Sequence, residues 1–297
     1  MVLIRSRPCC LPYGQKLVSL PMKTLILLLS LLLPESIAMA EPNDDILIMA
    51  HRGGKGLWPE NTIEGYRRAL EAEVDVLEID VWRTKDNVVV VNHDETVDRT
   101  TNGKGEVRSF TLQELQALDS GYRWSVDGTY PYRGAGYHIP TLDEVLAAFP
   151  EARFNIDLKE NSDALISSVA EIITKHGAEN RVLVASFHQS ALRAFRQLSP
   201  NVPTSACMNE IIRFLILSKL RLTFTYKPNF AAFQVPPRAQ FFDIVSPSFV
   251  AAAHRAGVEV HPWTINDPNE MKRLIAMGVD GIITDYPDRL SKVLSSE

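Results

Sequence analysis

The chain has 297 residues, 45% of them hydrophobic, and carries a formal net charge of −5. That length fits one large α/β barrel or two smaller domains, and the apolar fraction is ordinary for a globular protein with a sizeable core. The acidic balance argues against a broad nucleic-acid-binding surface.

The first forty residues differ from the rest. Arg5, Arg7, Lys16 and Lys23 precede an apolar run from Thr24 to Leu33, and Ala38-Met39-Ala40 follows. This pattern predicts a secretory signal peptide cleaved near Ala40, with Met22 as an alternative start and a secreted or periplasmic mature protein. The apolar run is shorter than the roughly 20 residues that cross a bilayer. No Cys follows the cleavage point, so nothing points to a lipid-anchored N-terminus. Cleavage would leave 27 basic side chains against 35 acidic ones, a formal charge of −8. Cys9 and Cys10 would leave with the leader, so Cys207 stands alone and the mature fold is expected to have no internal disulfide.

From residue 41 onward, short β-branched runs alternate with helical patterns. The predicted strands are Ile46 to Ala50, Val76 to Val81, Val88 to Asn92, Phe154 to Leu158, Val182 to Ala185, Pro203 to Cys207, Ala231 to Val235, Val258 to Trp263 and Gly281 to Thr284. The predicted helices include Thr62 to Glu73, Leu142 to Phe149, Ala164 to His176, Ser190 to Leu198, Ser248 to Ala256 and Pro268 to Met277. This alternation is that of a parallel sheet with helices outside it, a TIM-type (β/α)8 barrel in a single domain. Nine strand candidates compete for eight staves, and the link from Val81 to Asn87 is too short for a crossover helix, so either one strand is wrongly assigned or one connection is irregular. Residues 96–140 carry glycines, aromatics and one clear helix, Leu112 to Leu118, and read as a small subdomain inserted after the third strand. Its Tyr122, Trp124, Tyr130, Tyr132 and Tyr137 suit either a substrate mouth or a core of its own.

The chemistry-bearing residues fall where a barrel puts its active site, at the C-terminal ends of strands. His51 and Arg52 follow the first strand, Glu78 and Asp80 lie within the second, His93 follows the third, and Asp157 and Lys159 end the fourth. Glu78 and Asp80, two apart on a strand, point to one face, which a barrel encloses. Two enclosed carboxylates repel and pay desolvation unless a cation joins them. The oxygen set of Glu78, Asp80 and Asp157 suits a hard ion, Mg2+ or Ca2+; the plainer reading is a structural network with Arg or Lys. His51 and His93 flank this set, and imidazole can both activate an attacking oxygen and protonate a leaving alkoxide near neutral pH. Arg52 and Lys159 suit phosphate, or an ion pair with the same acids.

Several ordered segments then matter together: AHRGGKGLWPENT from Ala50, LEIDV from Leu77, VVVNHD from Val89, DRTTNG from Asp98, PTLDEVL from Pro140, NIDLK from Asn155, WTIN from Trp263 and VDGIITDYP from Val279. In these the chain resembles the glycerophosphodiester phosphodiesterases over about residues 48–290. The resemblance implies a TIM barrel with an insertion and metal-dependent hydrolysis of glycerophosphodiesters to sn-glycerol 3-phosphate and an alcohol. It implies His51 and His93 as the acid/base pair, Glu78 and Asp80 as metal ligands, Arg52 and Lys159 on the phosphate, Glu60 orienting the substrate side of the site, and Trp263 against the glycerol. Members of that family more commonly have Glu where this chain has Asp157, which leaves contact with the ion open between direct and water-bridged. Which imidazole is base, and whether water or the substrate's 2-hydroxyl attacks, is not decided by these residues.

Residues 211–224 are unusually apolar and carry Arg213, Lys219 and Arg221, a pattern that fits peripheral contact with a membrane surface or an outer helix packed on the sheet. Two other functions stay in view: a related barrel phosphodiesterase acting on lysophospholipids or other lipid head groups, and a phosphodiester-binding protein without catalysis.

Overall fold

The computed structural model describes residues 46–239 and 242–296. The expected signal peptide lies outside the described residues. The strands are short and their side chains alternate with period two. In β1 (Leu47–Ala50), β2 (Val76–Arg83) and β4 (Arg153–Leu158), one set of side chains faces the helices. From β2 these are Leu77, Ile79 and Val81, and from β4 Phe154, Ile156 and Leu158, all part of the main apolar core. The alternate set, Glu78, Asp80, Asn155 and Asp157, therefore faces the barrel interior. Lower in the barrel that interior is closed by Met49, Val76 and Ile283.

β1 pairs in parallel with β2 and with β10 (Gly281–Thr284), β2 with β4, and β4 with β5 (Val182–Ala185). The circle continues through bridges Val184 to Thr204 and Ser205 to Ala232, then β6 (Ala232–Val235) in parallel with β9 (Glu259–Pro262). The Asp280 N–H donates to the Val260 carbonyl at 3.0 Å, which links β9 to β10 and completes eight staves.

The surplus strand candidate is β3 (Val89–Val91), which pairs antiparallel with β2 as a hairpin and is not a stave. The short link is thereby explained: β2 runs on to Arg83, and the five residues 84–88 turn the chain back into β3. Its turn is tight, with Asn87 at φ 65°, a conformation Asn tolerates better than most side chains. The expected strand from Pro203 to Cys207 shrinks to the bridge partners Thr204 and Ser205, because Pro203 has no N–H to give and Cys207 already starts a helix. A short hairpin of β7 (Arg238–Ala239) and β8 (Phe242–Asp243) was not foreseen.

Helices α1 (Ile63–Glu71), α2 (Leu112–Gln116), α3 (Leu142–Ala148), α4 (Asp163–Lys175), α5 (Gln189–Leu198), α6 (Met208–Lys219), α7 (Pro247–Arg255), α8 (Pro268–Ile275) and α9 (Pro287–Leu294) follow the predicted order, α9 being additional. Their starts are set by side-chain caps and Pro in the first turn: Thr62 accepts from Gly65 N–H, Thr141 and Glu144 form a capping box, and Pro247, Pro268 and Pro287 open their helices.

The inserted residues build a core of their own from Val97, Val107, Leu115 and Ile139 on Val90 of β3. Its aromatics stack among themselves. Trp124 meets Tyr132 at 5.0 Å, Tyr132 meets Tyr137 at 5.6 Å, and Arg133 lies over Tyr122 and Tyr130. None of the five lines the barrel-mouth cavity described next.

Candidate active site

A cavity of about 310 Å³ opens at the C-terminal ends of the staves, lined by His51, Arg52, Glu78, Asp80, His93, Asp157, Lys159 and Trp263 among others. Every predicted site residue except Glu60 is thus brought to one place.

The turn His51–Gly53 follows directly on β1. Arg52 is held in the left-handed region at φ 54° and ψ 32°, a cost of about 1 kcal/mol or more for a side-chain-bearing residue. Three bonds keep it there: its N–H donates to Glu78 Oε2 at 2.8 Å, its carbonyl accepts from Asn61 N–H at 3.0 Å, and its guanidinium donates to Glu60 at 3.0 Å. Gly53 sits at φ 79° with the Tyr66 ring only 2.7 Å from where a Cβ would project, so no other residue fits without displacing that ring.

Each imidazole is oriented by a carboxylate. His51 Nδ1 lies 2.6 Å from Asp285 Oδ1, and Asn266 donates to the other Asp285 oxygen at 2.8 Å. His93 Nδ1 lies 2.6 Å from Asp94 Oδ1, and Arg99 Nε donates to Asp94 Oδ2 at 2.6 Å. A carboxylate accepts only, so a neutral ring must carry its proton on Nδ1 and leave Nε2 with a free lone pair. Burial pushes the His93 imidazole below its ordinary range, although Asp80 and Asp94 pull the other way. Burial would also raise Asp285, but the His51 bond and charge outweigh it and hold this carboxyl below the usual range.

Glu60 does not touch the cavity. Arg99 binds it through both terminal nitrogens at 2.6 and 2.7 Å while Arg52 binds it from the other side. Burial opposes its ionisation, yet the two guanidinium groups keep it below the usual glutamate range. It therefore fixes Arg52, and it joins Arg52 to His93 through Arg99 and Asp94.

The interior carboxylates are crowded. Asp80 and Asp157 are register partners on β2 and β4. Lys159 Nζ stands 2.8 Å from Asp80 Oδ1 and 2.6 Å from Asp157 Oδ2, and Arg52 Nε stands 3.7 Å from Asp80 Oδ2. Burial lowers the Lys159 ammonium's pKa, but Asp80, Asp157 and Glu78 more than reverse this and raise it. Burial, and then Asp80 beside it, push the Glu78 carboxyl well above its ordinary value; Asp157 is raised by burial despite Lys159. Three buried carboxylates thus face two cations.

Asp80 Oδ1 and Asp157 Oδ1 are buried without a hydrogen-bond partner, the Lys159 contact to Asp80 being close but poorly aligned. Unmatched charge and vacant lone pairs on an all-oxygen set suit a hard divalent cation. Among the described residues no three acidic, His or Cys side chains stand at mutual metal-ligand spacing, with Lys159 lying between Asp80 and Asp157. The fit is therefore best at Glu78 and Asp80.

Residues 51–289 match the model of the glycerophosphoryl diester phosphodiesterase family. The chain belongs to that family. A glycerophosphodiester phosphodiesterase of Caldanaerobacter subterraneus subsp. tengcongensis is 35% identical over 249 residues, covering 82% of this chain and 96% of the relative. The fold matches that of an Oleispira antarctica phosphodiesterase solved with the product sn-glycerol-3-phosphate, with a TM-score of 0.68, 26% identity and coverage of 83% of this chain and 96% of that one. A glycerophosphoryl diester phosphodiesterase domain from Mycobacterium tuberculosis gives a TM-score of 0.73 at 24% identity, covering 85% of this chain and all of that domain. Family members depend in general on a divalent metal.

Asp285, Asp94, Arg99 and Asn266 escaped the reading of single motifs, as did Phe187, whose ring is 65% exposed and meets Trp263 edge-on at 5.8 Å. Asp94 adjoins His93 in sequence. The pairing of Ala50 with Thr284 in a closed barrel would have put Asp285 beside His51.

Proposed function

We propose that this phosphodiesterase hydrolyses glycerophosphodiesters to sn-glycerol 3-phosphate and an alcohol, with His51 and His93 as acid and base. The observation that carries the reading is the pair of imidazoles on one cavity, each tied through Nδ1 to a carboxylate so that Nε2 is free. A non-catalytic binder has no need of two so oriented rings.

Arg52 and Lys159 offset charge that develops on the phosphoryl oxygens, Arg52 from a backbone fixed by Glu78 and a guanidinium fixed by Glu60. One imidazole takes the proton of the attacking hydroxyl, and the other gives a proton to the departing alkoxide. Trp263, with Phe187 across it, packs against the glycerol. Glu78 and Asp80 would hold Ca2+ or Mg2+, with Asp157 near it, and the bound ion supplies a Lewis acid for the phosphoryl oxygen. The leader supports action outside the cytoplasm, and the N-terminal sequence of protein recovered from an expressing cell's periplasm or medium is expected to begin near Glu41.

His51→Ala and His93→Ala should each lower turnover of glycerophosphocholine by about 10²-fold or more with an unchanged circular-dichroism spectrum. Near-normal turnover in either variant would overturn the assignment. Chelation should abolish turnover, and Ca2+ or Mg2+ should restore it.

A further inference from the structure

The barrel-mouth cavity has two unlike halves. The ends of β1, β2 and β4 and the start of the insertion supply charge, whereas the opposite wall is apolar, with Phe187, Ala206, Met208, Ile211, Val235 and Ile244. That wall continues onto the surface. Helix α6 buries Ile211 and Phe214, the latter against Phe233 at 4.7 Å and Phe249 at 5.8 Å. Its other side presents Met208, Ile212 and Ile216, with Leu220 just past its end, each about half exposed or more and spaced four residues apart. Such spacing gives one continuous ridge on a helix. Leu222, Phe224 at 81% exposure and Phe242 of β8 extend it.

Exposed apolar patches of this kind mark interaction surfaces in general, and this one adjoins the cavity mouth. Its charge indicates what docks. From Ile211 to Asp243 the chain has five basic residues, Arg213, Lys219, Arg221, Lys227 and Arg238, against one acidic residue, Asp243, which pairs with Arg238 at 2.7 Å, in a protein of net charge −5. All five are exposed, and Lys219 Nζ lies 5.6 Å over the Phe242 ring. Apolar side chains ringed by cations match an anionic lipid surface, the chains entering the acyl boundary and the cations meeting head groups.

We propose that α6, the turn after it and the β7–β8 hairpin dock on an anionic lipid surface, so that the apolar wall of the cavity opens toward that surface and phosphodiesters held in it can reach the charged wall. The consequence for substrate rests on the phosphodiesterase reading, whereas the docking does not.

The described residues form a compact unit of their own, so binding can be measured on a chain that starts at Glu41, without the apolar Thr24 to Leu33 segment. The test is co-sedimentation with phosphatidylcholine vesicles containing about 30 mol % phosphatidylglycerol, against pure phosphatidylcholine. Wild type is expected to pellet with the anionic vesicles, and to lose this at high salt. The variant Ile212→Ser/Ile216→Ser/Phe224→Ser, and separately Arg213→Gln/Lys219→Gln/Arg221→Gln, should bind about 10-fold less while turning over soluble glycerophosphocholine within about two-fold of wild type. The charge variant and the salt series decide the matter should the apolar variant fail to fold. Wild type that stays in the supernatant, variants that pellet equally well, or a wild-type dimer in light scattering that the serine variant turns to monomer would each overturn the proposal, the last by naming a second copy as occupant. Loss of soluble turnover in wild type would sink the phosphodiesterase reading alone.

Discussion

At the scale of single residues, the site depends on which nitrogen of each imidazole bears a proton. Asp285 enforces Nδ1–H on His51 because a carboxylate has nothing to donate. In Asp285→Asn the amide can turn its NH2 toward Nδ1, which moves the ring proton to Nε2 and removes the lone pair that faces the cavity. We expect kcat for glycerophosphocholine to fall by about 10² to 10⁴-fold with KM changed little. A fall in KM and kcat together, or none, would show Asp285 to be merely structural. The strand-end acids, both imidazoles, Arg52 and Lys159 could be located from sequence, since their places follow from strand period and strand ends, whereas Trp263 was marked only by the family resemblance. Asp285, Arg99 and Asn266 could not be read from single motifs, because their partners lie 234, 39 and 19 residues away; for Asp285 only closure of the barrel, which pairs β1 with β10, brings it to His51.

At the scale of elements, α6 illustrates how a helix is fixed on the barrel. Arg196 of α5 grips Glu210 with both terminal nitrogens at 2.7 and 3.1 Å while Glu210 Oε2 accepts the Cys207 N–H at 2.8 Å. Burial works to raise the Glu210 carboxyl, but these donors outweigh it and hold it below the usual range. Glu210→Gln should therefore cost about 1–2 kcal/mol at neutral pH in denaturant unfolding. A depressed folded-state value means the wild-type advantage is full above the unfolded glutamate value of about pH 4.3 and disappears as pH falls through the lower folded value. A gap between the two proteins that persisted at low pH would rule out the carboxylate as its source. The element order was legible because each stave and helix keeps its own period. The antiparallel return of β3 was less so, since a buried VVV run is the same in either direction; only the short link from Val81 pointed to it. The outward ridge of α6 was open in the same way, since an apolar run at 211–224 fits both an outer helix and a surface contact and does not tell which side of the helix meets the barrel.

At the scale of the whole molecule, function and stability oppose each other at the barrel mouth. Glu78, Asp80 and Asp157 are less than a tenth exposed, yet among the described residues the permanent cations beside them are Arg52 and Lys159, with the His51 imidazole 4.0 Å from Glu78. A fold under selection for stability alone would not retain the extra charge. Glu78→Gln removes it and keeps an oxygen to accept the Arg52 N–H. In metal-free protein the variant should melt about 2–6 °C higher than wild type while losing turnover. Millimolar Ca2+ or Mg2+ should raise the wild-type melting temperature by a comparable amount, since a ligand of the folded state alone stabilises it by mass action, and should leave the variant nearly unmoved. The pairing of these results is what separates the two meanings of a buried carboxylate cluster. If the three acids formed a closed network with Arg52 and Lys159, the substitution would break it, the variant would melt lower, and cations would move neither protein.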